Sequence, residues 1–237
     1  MSAGTDCQSA AALIGLPPGF RSSLLEGLTP SEVQAVLATA RLRRIFPPQV
    51  LQHEGEPAVH LSLVVAGRAA VSRFTPEGAK LFLRWLVPGD VFGLTTLQPE
   101  RGPFPATVQA VKEGYVRVWD RASARALLPQ YPQLAGNVYS AVANYLHCVI
   151  DVLVARASQN AQQRLARMLV ESARQIGRAG PEGIEFDLTN EQLAEMADIS
   201  LFTTSRQLGE WQRQGILTKR RGKILLRAPE RLVSQHF

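Results

Sequence analysis

The last third of the chain concentrates basic side chains of the kind that bind a polyanion. From Arg206 to Arg231 there are eight lysines and arginines and only two acidic residues, both glutamates, so this stretch has a formal charge of +6. The whole 237-residue chain also has a net charge of +6. A localised cationic block indicates binding to a polyanion such as nucleic acid, and a solvated basic surface is the alternative.

Two short helices are predicted next to this block. Thr189-Asn190-Glu191-Gln192 fits a capping box, and Ser200 is a suitable N-cap for a second helix that Gly215 ends. Asp198-Ile199 predicts the tight turn between them, which gives a helix-turn-helix. Apolar runs at 216–218 and 224–226 then predict a two-stranded wing, while the turn-rich stretch 178–183 predicts a loop.

The region from Phe46 to Trp119 has short apolar runs separated by turns. Glycines 55, 67, 78 and 89 follow one another at intervals of 12, 11 and 11 residues, and apolar and polar residues alternate between them. Regular turns at this interval predict a small antiparallel barrel or jelly roll. Before it, residues 1–44 are interpreted as a variable lead-in followed by a helix that Thr29 caps and Pro30 begins.

A long helix is predicted from about Tyr131 to Ala157. Apolar residues recur along it in steps of four and three, which is a heptad pattern. This pattern favours a helix partner, most simply the same helix of a second subunit, and packing on the chain's own barrel is the alternative. The predicted dimer-helix residues are Leu134, Val138, Ala141, Tyr145, Cys148 and Val152.

Composition excludes several classes of protein. With 46% hydrophobic and 19% charged residues the chain is of ordinary globular type, and its length predicts one or two domains. The first residues lack the pattern of a signal peptide, and no uninterrupted apolar run reaches membrane-helix length, so a cytoplasmic protein without membrane contact is expected. GxSxG, Walker-loop and HExxH motifs do not occur, so no enzyme activity is expected.

The order of a barrel, a long helix and a winged helix-turn-helix resembles the CRP/FNR family of bacterial transcription regulators. The resemblance covers about Phe46 to Ala228, and its local anchors include Val-Pro-Gly-Asp-Val-Phe-Gly at 87–93. Its most specific part is Leu-Thr-Asn-Glu-Gln-Leu-Ala at 188–194 followed by Ser-Leu-Phe-Thr-Thr-Ser-Arg at 200–206. It implies a homodimer that binds a near-palindromic site on double-stranded DNA and acts with RNA polymerase.

The chain departs from the cyclic-AMP-binding members of the family. Where those members carry a ribose-binding glutamate this chain has Leu94, and Pro105-Ala106 replaces their phosphate-binding Arg-Ser pair. Their adenine-binding hydroxyls correspond to Val149 and Ile150. A buried phosphate needs a cation or a cluster of donors, so cyclic AMP binding is not expected. The effector pocket implied by the resemblance comprises Leu94, Pro105, Ala106, Tyr145, Val149 and Ile150.

No cofactor is expected, although two alternatives stay open. The chain has two cysteines, Cys7 and Cys148, which cannot supply the four thiolates of the iron–sulfur cluster in the oxygen-sensing branch. A haem-binding branch also exists, and His147 with Cys148 would be the candidate ligands. The expected role of Cys148 is that of a small apolar residue, with haem ligation or redox sensing as alternatives.

The resemblance also implies which residues contact DNA. The second helix enters the major groove, and its expected base contacts are Leu201, Phe202, Ser205 and Arg206. Arg206 would bind guanine O6 and N7, while Phe202 would touch a thymine methyl group or else pack inward and weaken DNA binding. The expected phosphate contacts are Thr189, Thr203, Lys219, Arg220, Arg221 and Lys223.

The overall prediction is an α+β chain with three parts. Residues 1–130 form an effector-type β-barrel or jelly-roll domain with an N-terminal helix, 131–157 the dimerisation helix, and 158–237 a winged helix-turn-helix domain. The function predicted is sequence-specific regulation of transcription. The alternatives are a protein–protein adaptor that kept the fold, a redox or haem sensor with altered DNA recognition, and a small-molecule-binding protein that uses the barrel alone.

Overall fold

The computed structural model describes residues 16–17, 19–220 and 222–236, with side chains through residue 232. Cys7 and the expected phosphate contact Arg221 lie outside the described residues. The chain forms two compact units. The first comprises the described residues up to Arg73 together with Arg84–Cys148, and the second comprises Phe74–Leu83 and the described residues from Val149 onward.

The first unit is built on a six-stranded antiparallel sheet. Its path is β1-β6-β3-β4, with β2 paired to β6 and β5 paired to β3. The turns predicted at 76–78 and 88–90 join these strands, because Gly78 and Gly89 supply the positive φ that each turn needs. The strands are β1 (Arg41–Ile45), β2 (Val50–Gln52), β3 (His60–Phe74), β4 (Lys80–Leu86), β5 (Val91–Phe92) and β6 (Thr107–Asp120).

Three helices accompany this sheet: α1 (Pro30–Ala38), α2 (Arg121–Gln130) and α3 (Pro132–Ser158). Helix α1 begins as predicted, since Thr29 and Glu32 form a capping box and Pro30 occupies the first turn. Trp119 fixes α1 to β6, because its indole donates a 3.0 Å hydrogen bond to the carbonyl of Val36 and its ring is fully buried. These contacts form the core against which the start of α3 packs.

The second unit contains four further helices and a smaller sheet. Its hydrophobic core includes four residues that are fully buried: Leu165, Leu193, Leu208 and Trp211. The helices are α4 (Ala161–Ile176), α5 (Asn190–Ala197), α6 (Leu201–Arg213) and α7 (Pro229–His236). The sheet has the order β7-β8-β10-β9 and consists of β7 (Arg178–Gly180), β8 (Gly183–Phe186), β9 (Leu217–Arg220) and β10 (Lys223–Leu226).

Three local elements differ from the sequence-based prediction. The first strand begins at Arg41, inside the predicted helical lead-in, because residues 41–45 pair with Val118–Gly114 of β6. Helix α2, ahead of the long helix, was not predicted. The predicted loop at 178–183 is a hairpin, because β8 finds a non-local partner in β10, where Phe186 pairs with Ile224. Pairing across such sequence distance leaves no local periodic pattern.

The long helix is present within one residue of its predicted bounds, and most residues of its predicted dimer face lie against the chain itself. Leu134 is buried in the core of the first unit, while Val138, Ala141 and Tyr145 line a cavity of that unit. Further along, Val152 packs near Phe82 and Met168 of the second unit. This apolar face is therefore occupied by the chain itself, which was the alternative interpretation of the heptad pattern.

Candidate functional site

The N-terminal half of α6 presents side chains to solvent. Ser200 caps the helix by accepting a 3.1 Å hydrogen bond from the Thr203 backbone N–H, and Gln214 with Gly215 ends it as predicted. Leu208 and Trp211 hold the inner face, while all four residues expected to contact bases are exposed. Phe202 is 77% exposed, which overturns the alternative that it packs inward.

The turn between α5 and α6 is fixed by two arginines of the same unit. Asp198 adopts a left-handed conformation with φ of 52°, which an aspartate tolerates better than most residues. Arg164 donates hydrogen bonds of 2.8 and 3.0 Å to the carbonyls of Ala197 and Asp198. Arg156 lies 2.6 Å from the Asp198 carboxylate. Because these bonds satisfy carbonyls at the end of α5, they hold the angle at which α6 leaves the turn.

The basic block divides into paired and unpaired cations. Arg213, Lys223 and Arg227 form ion pairs with Glu210, Glu185 and Glu182. Two of these glutamates come from the β7–β8 region, outside the block counted in the sequence. Among the described residues of this block, Arg206, Lys219 and Arg220 form no side-chain hydrogen bond or ion pair. These three retain full capacity to bind phosphate or base edges.

The hydroxyl residues of the predicted interface already have partners within the protein. Thr189 caps α5 in the predicted capping box with Gln192. The Thr203 hydroxyl lies 2.8 Å from that of Ser200, and Ser205 accepts a 3.0 Å hydrogen bond from the Asn190 side chain. A hydroxyl that accepts one bond can still donate another, so these contacts orient the side chains without preventing binding.

The first unit contains a partly open cavity of about 530 Å³, lined by residues of the sheet and of α3. This volume is within the range of small-molecule sites. Gly93 forms part of the wall with φ of 79°, and a Cβ there would lie 2.4 Å from the carbonyl oxygen of His60. Four of the six predicted pocket residues line it: Leu94, Pro105, Ala106 and Tyr145.

Val149 and Ile150 are not among the residues that line this cavity, which corrects the predicted pocket. They follow Tyr145, the last lining residue on α3, by four and five positions, and Ile150 is 45% exposed. His147 and Cys148 are likewise absent from the lining. Among the described residues the lining includes no imidazole, thiol or thioether, so the cavity offers haem no axial ligand of those types.

One charged pair in the cavity wall was missed from the sequence. Arg84 lies 2.8 Å from the carboxylate of Asp90, and the other Asp90 oxygen accepts a hydrogen bond from the Val87 N–H. The sequence does not show this pair, because only the pairing of strands in the sheet reveals that β4 brings Arg84 beside Asp90. Gln52 also lines the cavity and is only 6% exposed. Its side-chain amide donates a hydrogen bond to the Ala106 carbonyl.

A different face of α3 carries exposed apolar side chains. Their order along the helix again follows steps of three and four, about a third of a turn around from the packed face. We call this set the exposed stripe, and it consists of Tyr139, Val142, Leu146, Ile150 and Leu153, which are between 45% and 77% exposed. Helix α3 is also long and apolar enough, by length and composition only, to cross a membrane.

Two family models match the chain in this order. Residues 42–131 match the cyclic nucleotide-binding domain and residues 163–234 match the Crp-like helix-turn-helix domain, together more than half of the chain. The turn-rich stretch from Phe46 to Trp119 lies inside the first match, and the predicted helix-turn-helix and wing between residues 189 and 226 lie inside the second. The α+β fold class predicted from the sequence is thereby confirmed.

Curated relatives and solved structures give the same result. A CRP-like cAMP-activated global transcriptional regulator of Mycobacterium tuberculosis (strain H37Rv) is 24% identical over 90% of this chain and 95% of its own length. The Cyclic AMP receptor protein of Thermus thermophilus is 28% identical over 87% of this chain and 93% of its own length. The structure of FixK2 from Bradyrhizobium japonicum has a TM-score of 0.73 at 24% identity, covering 84% of this chain and 98% of that one. The two domains in this order, with an exposed α6 beside unpaired cations, are those of a transcription regulator, and the chain belongs to the CRP/FNR family.

Proposed function

We propose that this protein is a homodimeric regulator that binds a specific, near-palindromic DNA site and is not controlled by cyclic AMP. One observation carries the DNA-binding part. Arg206 is exposed on the N-terminal half of α6 and has no partner among the described residues. An arginine in that position of a helix-turn-helix can donate two hydrogen bonds to guanine O6 and N7.

The sequence that this helix recognises should differ from the usual family half-site. The family resemblance implies an arginine and a glutamate at the two positions where this chain has Leu201 and Phe202, so at these positions no carboxylate is present to accept from cytosine N4. Phe202 is exposed and apolar, which suits contact with a thymine methyl group. Ser205 and Arg206 supply the polar contacts, while Thr189, Thr203, Lys219, Arg220, Arg221 and Lys223 are proposed to contact phosphates.

The exposed stripe supports assembly with a second copy of the chain. Leu146, 56% exposed, lies near the middle of the stripe, and Tyr139 and Leu153 lie towards its ends. A heptad-spaced apolar face on one helix is self-complementary, so two copies can pair about a two-fold axis and bury it. Such a pair would set two α6 helices about 34 Å apart, one turn of the duplex.

Lack of control by cyclic AMP is proposed from the cavity wall. Leu94, Pro105 and Ala106 line the cavity at the places where cyclic-AMP-binding members are expected to hold ribose and phosphate. None of these side chains donates a hydrogen bond. The Mycobacterium and Thermus relatives are named for cyclic AMP, so this chain would differ from them in its effector.

The remaining parts of the proposal concern partners and location. We infer a cytoplasmic protein that acts with RNA polymerase, is not an enzyme, and has no membrane role. Helix α3 is long and apolar enough to cross a membrane, but in this proposal its apolar side chains serve packing within the chain and dimerisation. One face of the helix packs within its own chain, where Asn137 donates to the carbonyls of Leu24 and Glu26 at 2.9 and 2.7 Å. The exposed stripe, on another face of α3, would contact the second subunit.

A mobility-shift experiment at several salt concentrations tests the proposal on fragments of the source genome. We expect a specific shift that weakens steeply as salt rises, because phosphate contacts release counterions. Sedimentation of the same preparation should give twice the chain mass of 25.9 kDa. A folded dimer that shifts no fragment at low salt would contradict the proposal and favour the adaptor alternative.

A further inference from the structure

The charges in the wall of the 530 Å³ cavity cancel each other. Among the residues that line it, the charged side chains are Arg84 and Asp90, which form the 2.8 Å ion pair. Arg84 also donates from Nε to the Trp85 carbonyl at 3.0 Å. The guanidinium is thus held by two acceptors of the protein. An anionic ligand would have to compete with Asp90 for it and would leave that carboxylate without its partner.

A second feature of the wall also disfavours anions. The amide of Gln52 is fixed by its hydrogen bond to Ala106, and its Oε1 is buried without a partner. Buried acceptor oxygens repel a negative charge, since they direct partial negative charge towards it. Most of the remaining lining is aliphatic and supplies no donor: Val71, Leu86, Val91, Leu94, Leu97, Pro105, Ala106, Val108, Leu128, Val138, Ala141 and Val142.

The lining has more than one polar side chain that could donate to a ligand. The Thr95 hydroxyl is buried without a partner among the described residues, and Tyr145 carries a further donor that the protein does not use. Tyr145 lines the cavity from α3, and its hydroxyl makes no hydrogen bond to another described residue. Burial raises the pKa of the Tyr145 phenol above its ordinary value of 10.0, and the nearby Cys148 thiol acts in the same direction. The charges of Arg73 and Arg84 act in the opposite direction. The hydroxyl therefore keeps its proton at neutral pH and can donate it.

We propose that the cavity binds an uncharged, mainly apolar small molecule with one carbonyl oxygen, which accepts a hydrogen bond from Tyr145. Its apolar body would fill the aliphatic part of the cavity, and its neutrality matches a wall whose charges are already paired. This inference rests on the effector role proposed above and gives that role a ligand class. Because Tyr145 belongs to α3, the ligand would bridge the sheet and the helix that carries the exposed stripe.

Three naphthalene probes and cyclic AMP separate the parts of this inference by calorimetry on the full-length protein. The probes are 2-acetylnaphthalene, the isosteric anion 2-naphthoate, naphthalene without an acceptor, and cyclic AMP. We expect 2-acetylnaphthalene to bind at least about tenfold more tightly than 2-naphthoate, with no detectable binding of cyclic AMP. Tighter binding of 2-naphthoate, or of cyclic AMP, would overturn the inference, as would the failure of both neutral probes to bind.

Two variants assign the hydrogen bond. Tyr145→Phe should weaken binding of 2-acetylnaphthalene roughly 2- to 10-fold and leave naphthalene unchanged, because only the former loses a hydrogen bond. Equal weakening of both probes would overturn the role of the hydroxyl. Ala141→Leu, which narrows the cavity from α3, should weaken both neutral probes. Thermal unfolding of each variant shows whether it is folded.

The same measurements distinguish this inference from the proposed function. Calorimetry needs no DNA, so its result stands whether or not the protein shifts a DNA fragment. Binding of 2-acetylnaphthalene by a protein that binds no DNA would contradict the proposed function alone. Specific DNA binding by a protein that binds none of the neutral probes would contradict this inference alone.

Discussion

The ammonium of Lys223 lies 2.8 Å from Glu185 Oε1, across the neighbouring strands β10 and β8. The pair raises the pKa of Lys223, chiefly through the hydrogen bond and charge of Glu185. Lys219 and Arg220, on β9, have no such partner among the described residues. The sequence does not distinguish these three cations, but the positive charge of Lys223 is partly offset by Glu185, whereas Lys219 and Arg220 can interact with DNA phosphates without such competition.

This inequality predicts different salt dependences for wing variants. Arg220→Ala and Lys219→Ala should each weaken binding to all DNA sequences and reduce the salt slope by about 1, since each removes a phosphate contact. Lys223→Ala should reduce the slope by clearly less, because Glu185 already offsets its charge. Glu185→Gln, which frees Lys223, should tighten binding. Fluorescence anisotropy from low to moderate salt measures all four, and equal slopes for Lys223→Ala and Arg220→Ala would contradict the argument.

Arg206→Ala should reduce the preference for specific over random duplex. The loss of a bidentate guanine contact corresponds to about 1–3 kcal/mol, or roughly 5- to 150-fold in the ratio of the two affinities. Arg213→Ala is the matched control, because Arg213 lies on the same helix but is paired with Glu210. Competition binding with a selected site and a scrambled site measures the ratio. An unchanged ratio in Arg206→Ala would assign that side chain to phosphate instead.

Leu146→Glu should convert the dimer into monomers. A carboxylate in the middle of the exposed stripe would be buried against its own copy in the partner, where like charges repel and neither is solvated. His147→Glu is the control, because His147 is exposed but lies off the stripe. Sedimentation equilibrium measures the mass, and DNA affinity should fall with dimerisation. A dimer that persists in Leu146→Glu would place the interface elsewhere.

His60 should make the protein less stable as the pH falls below neutrality. Burial lowers the pKa of His60 below its ordinary value of 6.5, with the charge of Arg43 acting in the same direction. The unfolded chain therefore binds the proton more readily than the folded one. The stability that neutral His60 provides is fully present above pH 6.5 and is lost as the pH falls through that value towards the folded pKa.

The test is the pH dependence of unfolding by urea. His60→Phe keeps an aromatic ring beside Phe104, whose centroid is 5.1 Å from that of His60, but cannot titrate. We expect its unfolding free energy to fall less between about pH 7 and pH 5 than that of the parent protein. Identical profiles for the parent and His60→Phe would contradict the assignment.

Much of the DNA-binding domain could be predicted from sequence because its determinants are local. Thr189 with Gln192 and Ser200 with Thr203 are capping contacts within one helical turn, and the left-handed turn at Asp198 lies between them. Residues a few positions apart fix such elements whatever surrounds them. The β7–β8 hairpin could not be found in the same way, because its pairing with β10 joins residues about forty positions apart.

The sequence by itself determined the order of the strand-rich region, the long helix and the winged helix-turn-helix, the length of α3 and the residue types on α6. It could not determine which face of α3 is exposed to solvent, because apolar residues at heptad spacing occur on two faces. The spacing alone does not show which element packs against each face. Only the tertiary structure decided this, by packing Leu134, Tyr145 and Val152 within their own units and leaving Leu146 exposed. It likewise decided that Arg84 neutralises Asp90 and that Glu185 neutralises Lys223, because ion pairs depend on distance in space and not on distance along the chain.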